Sequence, residues 1–184
     1  MKLTDIDFED EAFKSIVLAT GAEEAEQVVE IRARKSSITS AKGIEFLPNL
    51  KLLDLTRNRI TEVDVSKNTK LEELYLGSNE LEELDLSQNS NLTHLEIFIN
   101  DISDIDLSVT PKLENLYANK NDLTELDLSS NPNIEEIQLS DNELEELTLP
   151  EDCKPFMIKV ENTKLSDDTK AFLKNLVDPA RLKL

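Results

Sequence analysis

The sequence predicts an α/β solenoid in which short parallel strands stack into a curved sheet, the opposite side is extended or irregular, and a helix caps each end. Three observations carry that expectation. Asn58, Asn79, Asn100, Asn121 and Asn142 recur every 21 residues, and the apolar residues around them move in step. A repeat of this length is too short to bury its own apolar face, so the copies must stack on one another. Finally, both ends of the chain lose the repeat and take on helical spacing.

Residues 1–27 are the N-terminal cap. Phe8, Ala12, Phe13, Ile16 and Val17 fall at helical spacing over 7–20, and Gly21 terminates that helix. A second short helix over 22–27 leads into the first strand. The repeats occupy 28–165. Their unit is clearest at Leu71, Leu74, Leu76, Asn79, Leu81, Leu84, Asp85, Leu86, Ser87 and Asn89, and further copies start at Leu50, Leu92, Leu113 and Ile134. Degenerate copies flank them, with Ile31, Ala33, Ser36 and Ile38 upstream and Ile158, Val160, Thr163 and Leu165 downstream. The paired leucines define a short strand with its apolar side chains inward, and the asparagine turns the chain while its amide bonds backbone groups of adjacent turns. The second pair, such as Leu84 and Leu86, alternates with period two and lines the opposite wall, and Ser87–Asn91 is too short and polar for a helix. Residues 166–184 form the C-terminal cap. Ser166 is its N-cap, Asp167 and Asp168 suit a first helical turn, and Ala171, Phe172, Leu173, Leu176 and Val177 precede Pro179. The whole of 1–184 is one domain.

The unit L-x-x-L-x-L-x-x-N-x-L-x-x-L-D-L-S-x-N resembles the leucine-rich-repeat family, in its bacterial 21-residue form. The segments Phe8–Lys14 and Gly43–Leu50 are similar to the helical cap and first turn of internalin-like proteins. That resemblance implies a non-enzymatic protein-binding module, although the unit departs from the internalins' own 22-residue repeat.

Composition narrows the function classes. Acidic residues outnumber basic ones 39 to 20, a formal charge of −19, which opposes binding to nucleic acid or anionic lipid. No run approaches the ~20 apolar residues of a membrane span. No apolar leader core follows Lys2, so a cytoplasmic monomer is expected, with a secreted or surface site the alternative if a leader has been removed. One histidine, one cysteine and three glycines leave no paired-histidine, multi-cysteine or phosphate-loop site. No catalytic residue, metal site or cofactor is expected.

A partner therefore has to be sought on the outward positions of the strands. The central column is Arg32, Asp54, Tyr75, Glu96, Tyr117, Gln138 and Lys159, preceded by a column that includes Leu52, Glu73, His94, Asn115 and Glu136. Tyr75, Phe98 and Tyr117 are expected to lie within ~10 Å along the stack as one exposed aromatic patch, given strands ~4.8 Å apart. Phe98 and Ile99 stand where sibling repeats have Gly77, Ser78, Ser140 and Asp141. The expected contact set is Tyr75, His94, Glu96, Phe98, Ile99, Tyr117 and Asn119, with Arg32, Arg34 and Arg57 at the basic end of the face, where Glu30 and Asp54 offer compensation. Cations and anions nearly balance across these columns, so most of the negative charge lies behind, at Glu62, Asp64, Glu82, Glu83, Asp85, Asp106, Asp127 and their neighbours. Two other readings fit: a bacterial inhibitor or immunity protein using that acidic surface against a basic target, and a carbohydrate-binding surface protein using its tyrosines.

Overall fold

The computed structural model describes residues 1–184 and places one three-residue strand of the main sheet in each turn of a stacked repeat. Strands β1 (Glu30–Arg32), β2 (Leu52–Asp54), β3 (Glu73–Tyr75), β4 (His94–Glu96) and β5 (Asn115–Tyr117) follow one another in the sheet. They continue into β7 (Glu136–Gln138) and β9 (Met157–Lys159), all parallel, with Leu53, Leu74, Leu95, Leu116, Ile137 and Ile158 in register. These middle residues are fully buried while their strand neighbours in β3, β4, β5, β7 and β9 are half-buried. The period-two reading of the leucine pairs is therefore correct, and one continuous apolar core runs the length of the stack.

The asparagines do what their spacing suggests. Asn100 Nδ2 donates to the carbonyls of Leu76 and Ile97 at 3.1 and 2.9 Å, and its Oδ1 accepts the amide of Leu81 at 3.1 Å. Asn79, Asn121 and Asn142 repeat this set, each linking its own turn to the one before. The residue preceding each of them takes a left-handed backbone with φ near 60°, as at Ser78, Ile99, Lys120 and Asp141.

The back of the solenoid is largely without regular structure, as expected, because its segments are held by turns rather than ladders. Asp64, Asp85, Asp106 and Asp127 each accept the amide two residues on, from Ser66, Ser87, Ser108 and Ser129. This explains the Asp-Leu-Ser step of the repeat. Hydrogen bonds from Ser66 hold the Asp64 carboxyl below its ordinary range, and the amide and hydroxyl of Ser87 and Ser129 do the same for Asp85 and Asp127. Only β6 (Glu125–Asp127) and β8 (Glu146–Thr148) pair there, as a two-stranded parallel ribbon that the sequence reading did not separate from its irregular neighbours.

The caps differ in detail from the helical spacing. Helix α1 runs over Glu11–Leu18, starting four residues later than expected, because the Asp10 side chain caps it by accepting the amides of Ala12 and Phe13. The same carboxylate accepts the Thr39 amide at 2.9 Å, tying the cap to the first turn. Phe8 lies outside the helix and packs edge-to-face on Phe13, 5.9 Å between centroids. Its ring fills the space where a Cβ on residue 43 would stand, so only Gly43 fits, at φ 112°. The short helix expected over 22–27 is a single 3-10 turn, Ala25–Gln27. Helix α2 spans Asp167–Leu176 with Ser166 as its N-cap, burying Leu173 and leaving Phe172 exposed. After it the chain turns back and adds a strand, β10 (Leu182–Lys183), parallel to β9, so the C-terminal cap is a helix and an edge strand. No helix is long and apolar enough to cross a membrane.

Candidate binding face

The concave sheet brings the central-column residues into one row, because Arg32, Asp54, Tyr75, Glu96, Tyr117 and Gln138 are register partners in succession. At β2 the face is closed rather than open, although Glu30 and Arg32 on β1 are exposed. Leu52 and Asp54, read from sequence as outward, are buried to 7% exposure each, since a large side chain lies on both sides of them in the stack. Asp54 accepts the Thr56 amide at 2.9 Å and has Arg34 Nε at 3.8 Å, while Arg32 pairs with Glu30. The basic end is thus internally compensated. Arg57 alone of its three arginines is exposed with no ion pair.

The two tyrosines stand on alternate strands, and the ring between them is not Phe98. His94 fills that position, its centroid 4.8 Å from Tyr75 and 5.3 Å from Tyr117, the second contact edge-to-face. Each polar tip meets a carboxylate. Tyr75 Oη donates to Glu73 at 2.6 Å, Tyr117 Oη to Glu136 at 2.6 Å, and His94 Nε2 lies 3.2 Å from Glu96. Burial, reinforced by those carboxylates, pushes both phenol pKa values well above their ordinary value, so both tyrosines stay neutral donors. Repeat register puts His94 at a contact position but does not reveal its bridging role, because ring orientation does not follow from register.

Phe98 instead folds over Gly77, the sibling position one repeat earlier, where any Cβ would strike its ring. Next to it Ile99 is 45% exposed and left-handed at φ 54°. A β-branched side chain rarely accepts that backbone, and the other repeats supply Lys, Arg, Ser, Asp or Asn there. Asn119 is half-buried beside this pair, its carbonyl accepting the Ile99 amide at 2.9 Å. The face therefore has two neighbouring parts: an aromatic and carboxylate cluster along β3, β4, β5 and β7, and an apolar step formed by Phe98 and Ile99.

Behind the sheet, a groove of about 870 Å³ runs along the N-terminal flank between Glu9, Glu45, Glu62, Glu80, Glu82 and Glu83, among others. Cys153 is buried, and burial raises its thiol pKa, the opposite of what a nucleophile needs. No group of histidine, cysteine or carboxylate side chains is arranged to hold a metal ion.

Stacked 21-residue turns, a parallel concave sheet and an asparagine ladder define a leucine-rich-repeat solenoid. Family patterns agree: a two-copy leucine-rich-repeat pattern matches residues 48–88 and a single-repeat pattern matches 88–109. Among solved structures, the functional domain of InlJ from Listeria monocytogenes is 29% identical with a TM-score of 0.80, covering 91% of this chain and 39% of its own. The internalin InlF from the same organism is 21% identical with a TM-score of 0.83, covering 96% of this chain and 56% of its own. A leucine-rich-repeat protein of Leptospira interrogans shares 24% identity over 74% of this chain and 45% of its own, with a TM-score of 0.57. The chain thus has a leucine-rich-repeat fold, and its architecture is similar to that of the internalins. It spans roughly two fifths to a little over half of the solved internalin chains it resembles, and no curated protein matches its sequence. The InlJ domain is described as including a cysteine ladder; this chain, with a single cysteine, builds its ladders from asparagine.

Proposed function

We propose that this chain is a non-enzymatic protein-binding module that engages a protein partner through its concave face. The leucine-rich-repeat fold is generally one of interaction modules, and the observation that carries the reading for this face is Ile99. An exposed β-branched residue in a left-handed turn costs stability and packs nothing in the core, and it sits beside Phe98 at the one repeat that breaks the small-or-polar pattern of the column. Strain retained without a structural return marks a functional position, and an apolar pair within a polar rim is the composition of an interface hot spot.

The test uses the full chain. A photo-crosslinking residue placed at 99 is expected to capture a partner from the source organism, whereas the same residue at 85 on the back captures none. With that partner purified, a folded Phe98→Ser, Ile99→Ser variant is expected to lose at least about thirtyfold in affinity. Full affinity in that variant would overturn the reading.

The acidic groove behind the sheet favours a second reading, in which a basic target docks there and is inhibited. In that case Glu82→Gln with Glu83→Gln slows association, the effect shrinks steeply with added salt, and the residue 99 variant has none.

A further inference from the structure

The proposed binding face carries a cluster whose chemistry specifies what it accepts. Glu73, Glu96 and Glu136 stand on three strands of one sheet, half-buried among Tyr75, His94 and Tyr117. No lysine or arginine ion-pairs with any of the three, and Glu96 has only the single histidine. At the head of the face Arg32 and Arg34 are already taken by Glu30 and Asp54, and Arg57 pairs with none of the three glutamates. At the tail, Lys159 Nζ reaches only the Gln138 amide oxygen, at 3.5 Å. A locally anionic centre thus survives on a face that is otherwise close to neutral. Carboxylates this sheltered, 16% exposed for the Glu96 side chain, interact with a charge through far less water than those on the back.

The rings add a second requirement. Tyr75 and Tyr117 flank Glu96 in the central column, two strand spacings or about 10 Å apart. Their hydroxyls donate to carboxylates, which makes the rings more electron-rich and their faces better seats for a cation. Between them lies the His94 imidazole, a flat nitrogen group against Tyr75 with its Nε2 toward Glu96. It shows the shape and polarity that the cluster accommodates. Elsewhere in the molecule the ring of Phe156 already carries a cation of this chain, Arg181 at 3.9 Å; the tyrosine rings meet His94 and carry no lysine or arginine.

Resting on the reading of the concave face as the binding face, we propose that the Tyr75–His94–Tyr117 cluster with Glu73, Glu96 and Glu136 is a recognition site for an arginine side chain of the partner protein. The planar guanidinium stacks on the tyrosine and histidine rings and turns its N–H edges to the carboxylates, which a spherical ammonium matches less well.

The probe is N-acetyl-L-argininamide, titrated into the full-length chain at physiological salt and followed by NMR of the tyrosine and histidine ring protons. Saturable shifts confined to Tyr75, His94 and Tyr117 are expected at roughly millimolar concentration, as for a single anchoring side chain. The neutral isostere N-acetyl-L-citrullinamide is expected to produce none. Glu96→Gln, which keeps the side-chain shape, is expected to weaken the titration about tenfold, and Tyr75→Leu to weaken it similarly, with thermal midpoints confirming both folds. Glu82→Gln with Glu83→Gln, which removes charge only from the back, is expected to leave it unchanged. Equal shifts with the citrulline probe, no saturable shift, or an undiminished response in Glu96→Gln would each overturn the proposal. The two readings fail separately: loss of this titration with a partner still sensitive to Phe98 and Ile99 defeats only the arginine site. An intact titration with a partner indifferent to Phe98 and Ile99 defeats only the wider reading.

Discussion

Asn79, Asn100, Asn121 and Asn142, beside the concave sheet, and Asn68, Asn89 and Asn131, on the opposite wall, are the same residue used in two ways. Members of the first row use both amide donors and the carbonyl oxygen, and each needs a left-handed residue before it. Members of the second use the donors alone. Asn89 Nδ2 reaches the carbonyls of Val65 and Asn68 at 3.2 and 3.1 Å, and no protein donor reaches its Oδ1, nor those of Asn68 and Asn131. No left-handed residue precedes these three. One member of that row is missing altogether: Thr110 stands in its place and keeps a single bond to the Leu107 carbonyl at 3.0 Å. A donor-only ladder tolerates such a substitution because it asks less of each member. The front ladder fixes a sharp turn and so fixes where the outward side chains of the sheet point.

If that contrast is right, the front ladder should be the most sensitive point of the fold outside the leucines. Asn100→Ala removes three hydrogen bonds and strands the Leu81 amide in the interior, while the carbonyls of Leu76 and Ile97 keep one donor each, from Asn79 and Asn121. It is expected to cost about 3 kcal/mol, seen as a fall of about 10 °C in thermal midpoint. Asn89→Ala, which removes two hydrogen bonds but leaves the carbonyls of Val65 and Asn68 with the amides of Asn68 and Leu71, should cost about 2 kcal/mol by urea titration, and Asn89→Thr only about half that, since Thr110 shows the replacement in place. Equal losses at Asn100 and Asn89 would erase the distinction between the ladders. Replacing the strained residue before Asn100, Ile99→Asn, is expected to raise stability by about 1–2 kcal/mol while lowering partner affinity, and a loss of stability there would remove the strain argument.

A smaller effect is expected where the stack meets its cap. Asp10→Ala removes the α1 N-cap and the link to Thr39, for about 1 kcal/mol. Partial burial alone would raise the Asp10 carboxyl, but the donors of Thr39, Phe13 and Ala12 outweigh it and hold the group below its usual value. A depressed folded value means that its contribution is complete above the ordinary carboxylate range and is lost as pH falls through the folded value. Wild type and Asp10→Ala should therefore converge in stability in acid, and a gap that stays constant with pH would refute the capping role.

The seven concave strands, the front asparagines and the Ser166 cap were legible because each is a local rule repeated or stated in a few residues. What escaped depends on contacts between distant segments. Phe8 fits helical spacing, yet Gly43 and Phe13 claim it as a separate packing residue, and Asp10 was the overlooked signal for where α1 begins. Strand β10 has no period to betray it, since a two-residue strand is defined by the β9 edge it meets. At the face, register gave the row of Tyr75, Glu96 and Tyr117, but not the turn of Phe98 toward Gly77 or of His94 between the rings. Leu52 and Asp54 sit in outward columns and are nevertheless covered, because exposure on a concave surface depends on the size of the neighbours as well as on alternation.

The 21-residue step that separates Asn79 from Asn100 and Asn100 from Asn121 also makes the molecule divisible. Each unit meets its neighbours through the same leucine layer and the same amide bonds, so excising or duplicating one unit leaves every remaining junction of a kind already present. The surface responds in whole strands. Duplicating the unit that holds Glu96 moves Tyr117 away from Tyr75 by one further strand, ~4.8 Å, while the core is lengthened but not redesigned. Recombination between units gives such a chain a ruler with fixed graduations, along which the spacing of its contact residues is reset one notch at a time.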